Sequence, residues 1–178
     1  SSDVCSSDLV AGAIASKYRN AGQTCVCANR LLVQDGVYDA FVDKLQEAVA
    51  QFRLGDGAQA GVTMGPLIDE KAANEVMNFV EDAVAKGATV LCGGRRAQNG
   101  NAFVEPTILT DVSTEMRVFN EEIFGPVAPV FRFSSEAEAI ALANDTPFGL
   151  AAYFYSRDIG RVWRRSEEHT SELQSPCN

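Results

Sequence analysis

The sequence predicts an α/β fold, a mostly parallel sheet flanked by helices, and three observations lead there. Short apolar runs of strand length recur at Arg30 to Val33, Thr89 to Cys92, Val127 to Phe133 and Gly149 to Tyr155. Longer segments between them repeat apolar residues at three- and four-residue steps, the period of an amphipathic helix. Glycine- and proline-bearing turns separate the two kinds of segment. Strands alternating with helices in this way favour a sheet with helices on both faces.

Each element follows from its residues. Val10 to Arg19 is small and apolar with helical spacing, and Asn20-Ala21-Gly22 is a stop signal. Arg30-Leu31-Leu32-Val33 reads as a buried strand and Gln34-Asp35-Gly36 as a turn. From Val37 onward, Phe41, Leu45, Val49 and Phe52 define a helix closed by Gly55-Asp56-Gly57. Gly61 to Gly65 is a loop, and a long helix from about Asp69 to Lys86 turns Val76, Phe79, Val80, Ala83 and Val84 inward. After Gly87 come a strand at Thr89 to Cys92, a turn at Gly93-Gly94, and an extended stretch from Phe103 to Leu109 that Pro106 bends or confines to an edge. Val127 to Phe133 is a strand interrupted by Pro129, and Glu136 to Asn144 a short helix with Ala139, Ile140 and Leu142 inside. Gly149 to Tyr155 reads as a near-continuous buried strand, and Asp158 as the cap of a last helix.

The two ends differ in character from this interior. Residues 1–9 and the tail from Arg165 to Asn178 read as translated sequencing adapter, one the reverse complement of the other, and are set aside before fold reasoning. Neither end has the apolar core of a signal peptide. The remaining 10–164 segment begins and stops inside helical patterns, so it is expected to be an internal piece of a longer protein. It holds no histidine, since His169 lies in the tail, which removes histidine-based metal sites and histidine-assisted nucleophiles from this segment. It keeps 14 basic and 19 acidic residues, a net charge of −5, which argues against nucleic acid and anionic membrane as partners. Cys25, Cys27 and Cys92 remain, too few for a disulfide framework and consistent with a reducing cytoplasm.

Chemistry concentrates in two places. Asn20-Ala21-Gly22-Gln23-Thr24-Cys25-Val26-Cys27-Ala28-Asn29-Arg30 puts a thiol just after a glycine-permitted turn. Such a backbone presents sulfur to a cleft and supplies N–H dipoles that favour thiolate and hold an oxyanion, one such donor being worth about 3 kcal/mol. Cys25 is therefore the candidate nucleophile, with its own N–H the nearest oxyanion donor. Cys27 is either a small apolar filler or a redox partner that bridges to Cys25 and blocks it; Cys92 reads as structural. The second place is Glu121-Glu122-Ile123-Phe124-Gly125-Pro126, two acids and an aromatic ahead of a fixed turn, about one hundred residues after Cys25.

Both motifs resemble those of the aldehyde dehydrogenase family, and the residues around Cys25 are most similar to its succinate-semialdehyde branch. The resemblance covers essentially all of residues 10–164. It implies that this is part of the family's catalytic domain, with Cys25 as nucleophile. Glu122 would bind the nicotinamide ribose hydroxyls and Phe124 pack near the ring of NAD or NADP. Arg19, six residues before Cys25, would grip the distal carboxylate of the substrate, as a planar guanidinium does through two parallel hydrogen bonds. By the same resemblance, the dinucleotide domain, a water-activating glutamate and an oxyanion asparagine lie upstream of this segment, and a C-terminal strand used in homo-oligomer contacts lies downstream. The implied reaction is NAD(P)-dependent oxidation of succinate semialdehyde to succinate through a thiohemiacetal and a thioester, by a cytoplasmic enzyme of which this segment alone is inactive; within the family, an aldehyde lacking the second carboxylate is the alternative substrate. Two readings from other classes stay open: a cysteine hydrolase or acyltransferase using Cys25, and a non-enzymatic α/β domain.

Overall fold

The structure, a computed structural model, describes residues 2–168. Its elements run α1 (Ser2–Lys17), a 3₁₀ turn (Arg19–Gly22), β1 (Leu31–Gln34), α2 (Asp35–Val49), α3 (Glu70–Ala85), β2 (Thr89–Cys92), β3 (Thr107–Thr110), α4 (Arg117–Asn120), β4 (Val127–Phe133), α5 (Glu136–Asn144) and α6 (Ile159–Glu168). The four strands form one sheet in the order β1-β4-β3-β2. β1 and β3 lie parallel to β4, and β2 pairs antiparallel to β3. The mostly parallel, helix-flanked sheet is the architecture the sequence predicts.

Its core is built where the helical and strand periods point. Phe41, Leu45 and Val49 of α2, and Val76, Phe79, Val80 and Ala83 of α3, are buried with Ile108 and Leu109 of β3 and Val127, Ala128, Val130 and Phe131 of β4. Asp69 begins α3 by accepting the Ala72 N–H at 2.7 Å, and Ser135 begins α5 by accepting that of Glu138 at 3.2 Å. The Asp158 carboxylate accepts the Arg161 N–H at 3.1 Å and caps α6, as expected.

Several expectations are corrected. Helix α1 reaches back to Ser2 and so takes in most of the leading nine residues. Asp35-Gly36 is no turn: β1 passes into α2 at Asp35, and that helix ends at Val49 rather than near Gly55. Val84 faces solvent, because it lies one step past Ala83 and off the buried stripe of α3. The inner residues of α5 are only half buried. Pro129 does not interrupt β4: the β3 pairing ends at Leu109–Pro129 and the β1 pairing begins at Leu31–Val130, so the missing N–H falls where the strand changes partner.

The largest departure is Gly149 to Tyr155, expected as a buried strand. It is irregular and exposed, and joins no ladder among the described residues. Leu150, Tyr153, Phe154 and Tyr155 each remain about half exposed. A continuous apolar run fixes a burial preference and leaves the pairing partner undetermined.

Candidate active site

The cysteine loop is shaped by three successive left-handed residues. Asn20 (φ 50°), Ala21 (φ 55°) and Gly22 (φ 78°) turn the chain sharply off the end of α1. Ala21 in this region is strained, of order 1–3 kcal/mol. Such a cost persists only where the surroundings hold it, and here they do. The Gln23 side-chain carbonyl accepts the Ile68 N–H at 2.8 Å, while its amide donates to the Pro66 carbonyl at 3.4 Å. The Ala28 N–H reaches the Ser16 carbonyl at 2.9 Å, closing the loop onto α1.

Within that frame Thr24 to Cys27 form a tight turn, with the Cys27 N–H on the Thr24 carbonyl at 3.0 Å. Cys25 occupies the turn's tip and is exposed. Cys27 points back: its Sγ lies 2.8 Å from Thr24 Oγ1 and 3.6 Å from the Arg19 carbonyl. Cys92 ends β2 at the edge of the sheet and is half buried, and burial pushes its thiol pKa up. The three thiols thus divide into one presented, one engaged locally and one withdrawn. Arg19 is exposed on the same loop.

Loop and second motif meet through their glycines. A Cβ on Gly22 would lie 2.1 Å from the Gly125 carbonyl oxygen, and one on Gly125 would strike Val76 at 2.4 Å. Only glycine permits either approach, and the backbone four residues before Cys25's neighbour Val26 therefore touches the turn after Phe124. The Tyr18 hydroxyl donates to the Thr107 carbonyl at 2.8 Å, and the Thr107 N–H donates to the Pro126 carbonyl at 2.8 Å. The start of β3 thereby holds the end of α1 and the second motif side by side.

The two glutamates divide the work. Glu121 is gripped by Arg117 through Nε at 2.8 Å and an η nitrogen at 2.9 Å. Arg117 also pairs with Glu75 at 2.6 Å and stacks over Phe79 at 4.4 Å. The hydrogen bonds from Arg117 hold the Glu121 carboxyl below its usual pKa. Glu122, next along, is exposed, and so is Phe124, whose φ of 51° is strained for an aromatic residue. Of the four non-glycine residues with positive φ among the described residues, Asn20, Ala21 and Phe124 belong to the two loops that meet, while Asp111 lies just after β3. Among the predicted site residues, Cys25, Arg19, Glu122 and Phe124 are all solvent-facing members of these adjoining loops.

Two residues escaped the sequence reading. Asn29 ties the loops directly: its Oδ1 accepts the Ile123 N–H at 3.0 Å, and its Nδ2 donates to the carbonyls of Glu121 at 2.8 Å and Val118 at 3.4 Å. Lys17 is almost wholly buried at 1% exposure, with a pKa lowered to about 8 chiefly by desolvation; the charges of Cys27 and Glu122 partly oppose that shift. Its place in an apolar helix was the only signal. Two surface cavities among the described residues, about 310 Å³ beside Arg96 and Asn101 and about 270 Å³ beside Tyr38 and Asp111, have neither Cys25 nor Glu122 in their walls. The candidate site is an open face.

Residues 2–171 match the model of the aldehyde dehydrogenase family. The chain is 61% identical over 158 residues to the succinate-semialdehyde dehydrogenase [NADP(+)] GabD of Escherichia coli (strain K12), which covers 89% of the chain and 33% of that relative. It is 62% identical over 159 residues to a glutarate-semialdehyde dehydrogenase of Pseudomonas aeruginosa, with 89% and 33% covered. The solved structure of succinate-semialdehyde dehydrogenase from Burkholderia pseudomallei superposes with a TM-score of 0.89 at 58% identity, over 91% of this chain and 34% of that one. The chain thus spans about a third of the length of the relatives it matches. With the family match extending over nearly its whole length, the chain belongs to the aldehyde dehydrogenase family.

Proposed function

We propose that the protein carrying this segment oxidises succinate semialdehyde to succinate with NAD or NADP, using Cys25 as the nucleophile. One observation carries the reading: an exposed thiol at the tip of a turn, packed through Gly22 and Gly125 against the loop that exposes Glu122 and Phe124. The Cys25 thiolate adds to the aldehyde carbon, forming a C–S bond and moving the carbonyl π pair onto oxygen. The N–H of Cys25 is the donor this chain offers that alkoxide. A dinucleotide held at Glu122 and Phe124 would supply the hydride acceptor this oxidation needs, and Cys25 would carry the oxidised acyl group as a thioester. Addition of water to the thioester breaks the C–S bond, releasing the carboxylic acid and returning the Cys25 thiol with the second proton of that water.

The residues present fit a dinucleotide's nicotinamide end. Glu122 offers an exposed carboxylate to two ribose hydroxyls, and Phe124 offers an exposed aromatic face beside it. Arg19 is proposed to hold the distal carboxylate of the substrate. Two relatives at 61% and 62% identity are named for a four- and a five-carbon semialdehyde, and a third at 59% for 3-sulfolactaldehyde, so a small aldehyde with a distal acid group is supported and glutarate semialdehyde is the second reading. The test is a protein of the relatives' full length assayed on succinate semialdehyde, glutarate semialdehyde and butanal. Turnover is expected to favour a semialdehyde and to vanish in Cys25→Ala. Arg19→Ala should raise KM for the semialdehydes roughly tenfold or more while sparing butanal, as loss of a charge-assisted pair implies. Equal loss on all three aldehydes counts against Arg19, and turnover in Cys25→Ala against the mechanism.

Cys27, its Sγ on Thr24 Oγ1 and the Arg19 carbonyl, is proposed first as a filler beside the nucleophile; the second reading is a redox switch in which it bridges to Cys25 and peroxide accepts the two electrons released as the S–S bond forms. A ring across three residues is strained and readily reduced. Peroxide inactivation of the full-length protein should be thiol-reversible, and Cys27→Ala should lose that reversibility; reversible inactivation unchanged in Cys27→Ala removes the switch. A cytoplasmic homo-oligomer acting on a small molecule, with foreign residues at 1–9 and 165–178, completes the reading. No helix among the described residues is long and apolar enough to cross a membrane.

A further inference from the structure

We propose that Asn29 is a positioning residue that sets the orientation of Glu122 relative to the Cys25 sulfur. The inference rests on the reading of Glu122 as a dinucleotide ligand. The Asn29 amide touches the two peptide groups that flank the Glu122 Cα: Nδ2 donates to the Glu121 carbonyl at 2.8 Å, and Oδ1 accepts the Ile123 N–H at 3.0 Å. Gripping both peptides restrains φ and ψ of Glu122 together. A third bond, to the Val118 carbonyl at 3.4 Å, ties the same amide to the end of α4.

The other end of the clasp is the cysteine loop. Asn29 lies four residues after Cys25, directly after Ala28, whose N–H is fixed to Ser16 on α1. The clasp is therefore referenced to the same helix end that carries the nucleophile's turn. A carboxamide matches this place because the side chain donates twice and accepts once, whereas a hydroxyl carries a single hydrogen. Aspartate keeps the Ile123 contact but sets an anion against two carbonyl oxygens, and alanine removes all three bonds. Glu122 itself makes none of these contacts with its carboxylate, which leaves that group presented at the surface.

The test uses a protein of the relatives' full length. Dissociation constants for NADH and NADPH are measured by fluorescence titration, and Cys25 alkylation by iodoacetamide is followed by mass spectrometry without dinucleotide. Asn29→Ala is expected to weaken dinucleotide binding roughly tenfold and to leave the Cys25 alkylation rate within about twofold. Asn29→Asp carries the same expectation and serves if Asn29→Ala does not accumulate folded. In a Glu122→Ala background, Asn29→Ala should add nothing to the loss, because it acts through Glu122. Full additivity, unchanged dinucleotide affinity, or equal loss of affinity and thiol reactivity overturns the proposal. A parent that oxidises aldehydes while its Asn29 variants bind dinucleotide normally defeats this inference alone. A parent that neither binds dinucleotide nor oxidises aldehydes defeats the reading of the site and this inference with it.

Discussion

At the scale of single residues, the three cysteines show how much position decides. Cys25 was legible in the sequence because a glycine and a family-like motif surround it, and the structure presents it at the tip of a turn. Cys92 sits in an apolar run and takes the withdrawn place its neighbours imply. Lys17 was not legible, since a lysine on an apolar helix ordinarily snorkels to water. Its burial has a measurable consequence. Below about pH 8 the folded protein carries a desolvated ammonium, and this penalty is then present in full. Between about 8 and the ordinary 10.5 the folded form has released its proton while the unfolded chain still holds one, so stability rises with pH across that window. The displacement is equivalent to about 3 kcal/mol. Lys17→Met should therefore be the more stable protein in urea at pH 7, with its advantage shrinking by pH 9.5. An advantage of constant size at both pH values contradicts the assignment.

At the scale of elements, boundaries set by side-chain chemistry were legible and those set by tertiary contact were not. Asp69, Ser135 and Asp158 announce their helices because short acceptors satisfy free N–H groups locally. The four-residue α4 gave no periodic signal, since its place follows from Asp82 accepting the Arg117 N–H at 2.9 Å. The C-terminal end of α5 depends on a residue 112 positions away. Arg30 donates to the carbonyls of Leu142 at 2.8 Å, Ala143 at 3.1 Å and Asp145 at 3.1 Å, and stacks over Phe119 at 4.6 Å. A planar cation at helix-terminal carbonyls satisfies unpaired acceptors and complements the dipole. Arg30→Ala should destabilise the protein by about 2 kcal/mol. Arg30→Lys should restore only part of this, since an ammonium lacks the fork and the stacking plane. Both are read from urea unfolding midpoints, and full rescue by lysine would refute the fork.

At the scale of the whole molecule, the alternation of strands and helices fixed the class, while strand order and partners came from outside any local window. Nothing near Gly149 to Tyr155 states which backbone it should pair with, and the segment instead lies over the first helix and the cysteine turn. Its Tyr153 hydroxyl donates to the Val26 carbonyl at 2.9 Å, and the Tyr155 ring occupies the space a Cβ on Gly12 would need. The meeting of the two motifs was legible only through the family resemblance, because more than a hundred residues separate Gly22 from Gly125. The contact itself is physical: two glycines, the Asn29 clasp and the start of β3 bring one thiol and one acidic-aromatic pair onto a common face. The most direct measurement of that shared face is site-resolved alkylation of Cys25 and Cys92 in the full-length protein, with and without saturating NADH or NADPH. Dinucleotide should change the Cys25 rate several-fold, about a kcal/mol in barrier, leave Cys92 untouched, and lose its effect in Glu122→Ala. A Cys25 rate indifferent to bound dinucleotide would contradict the account.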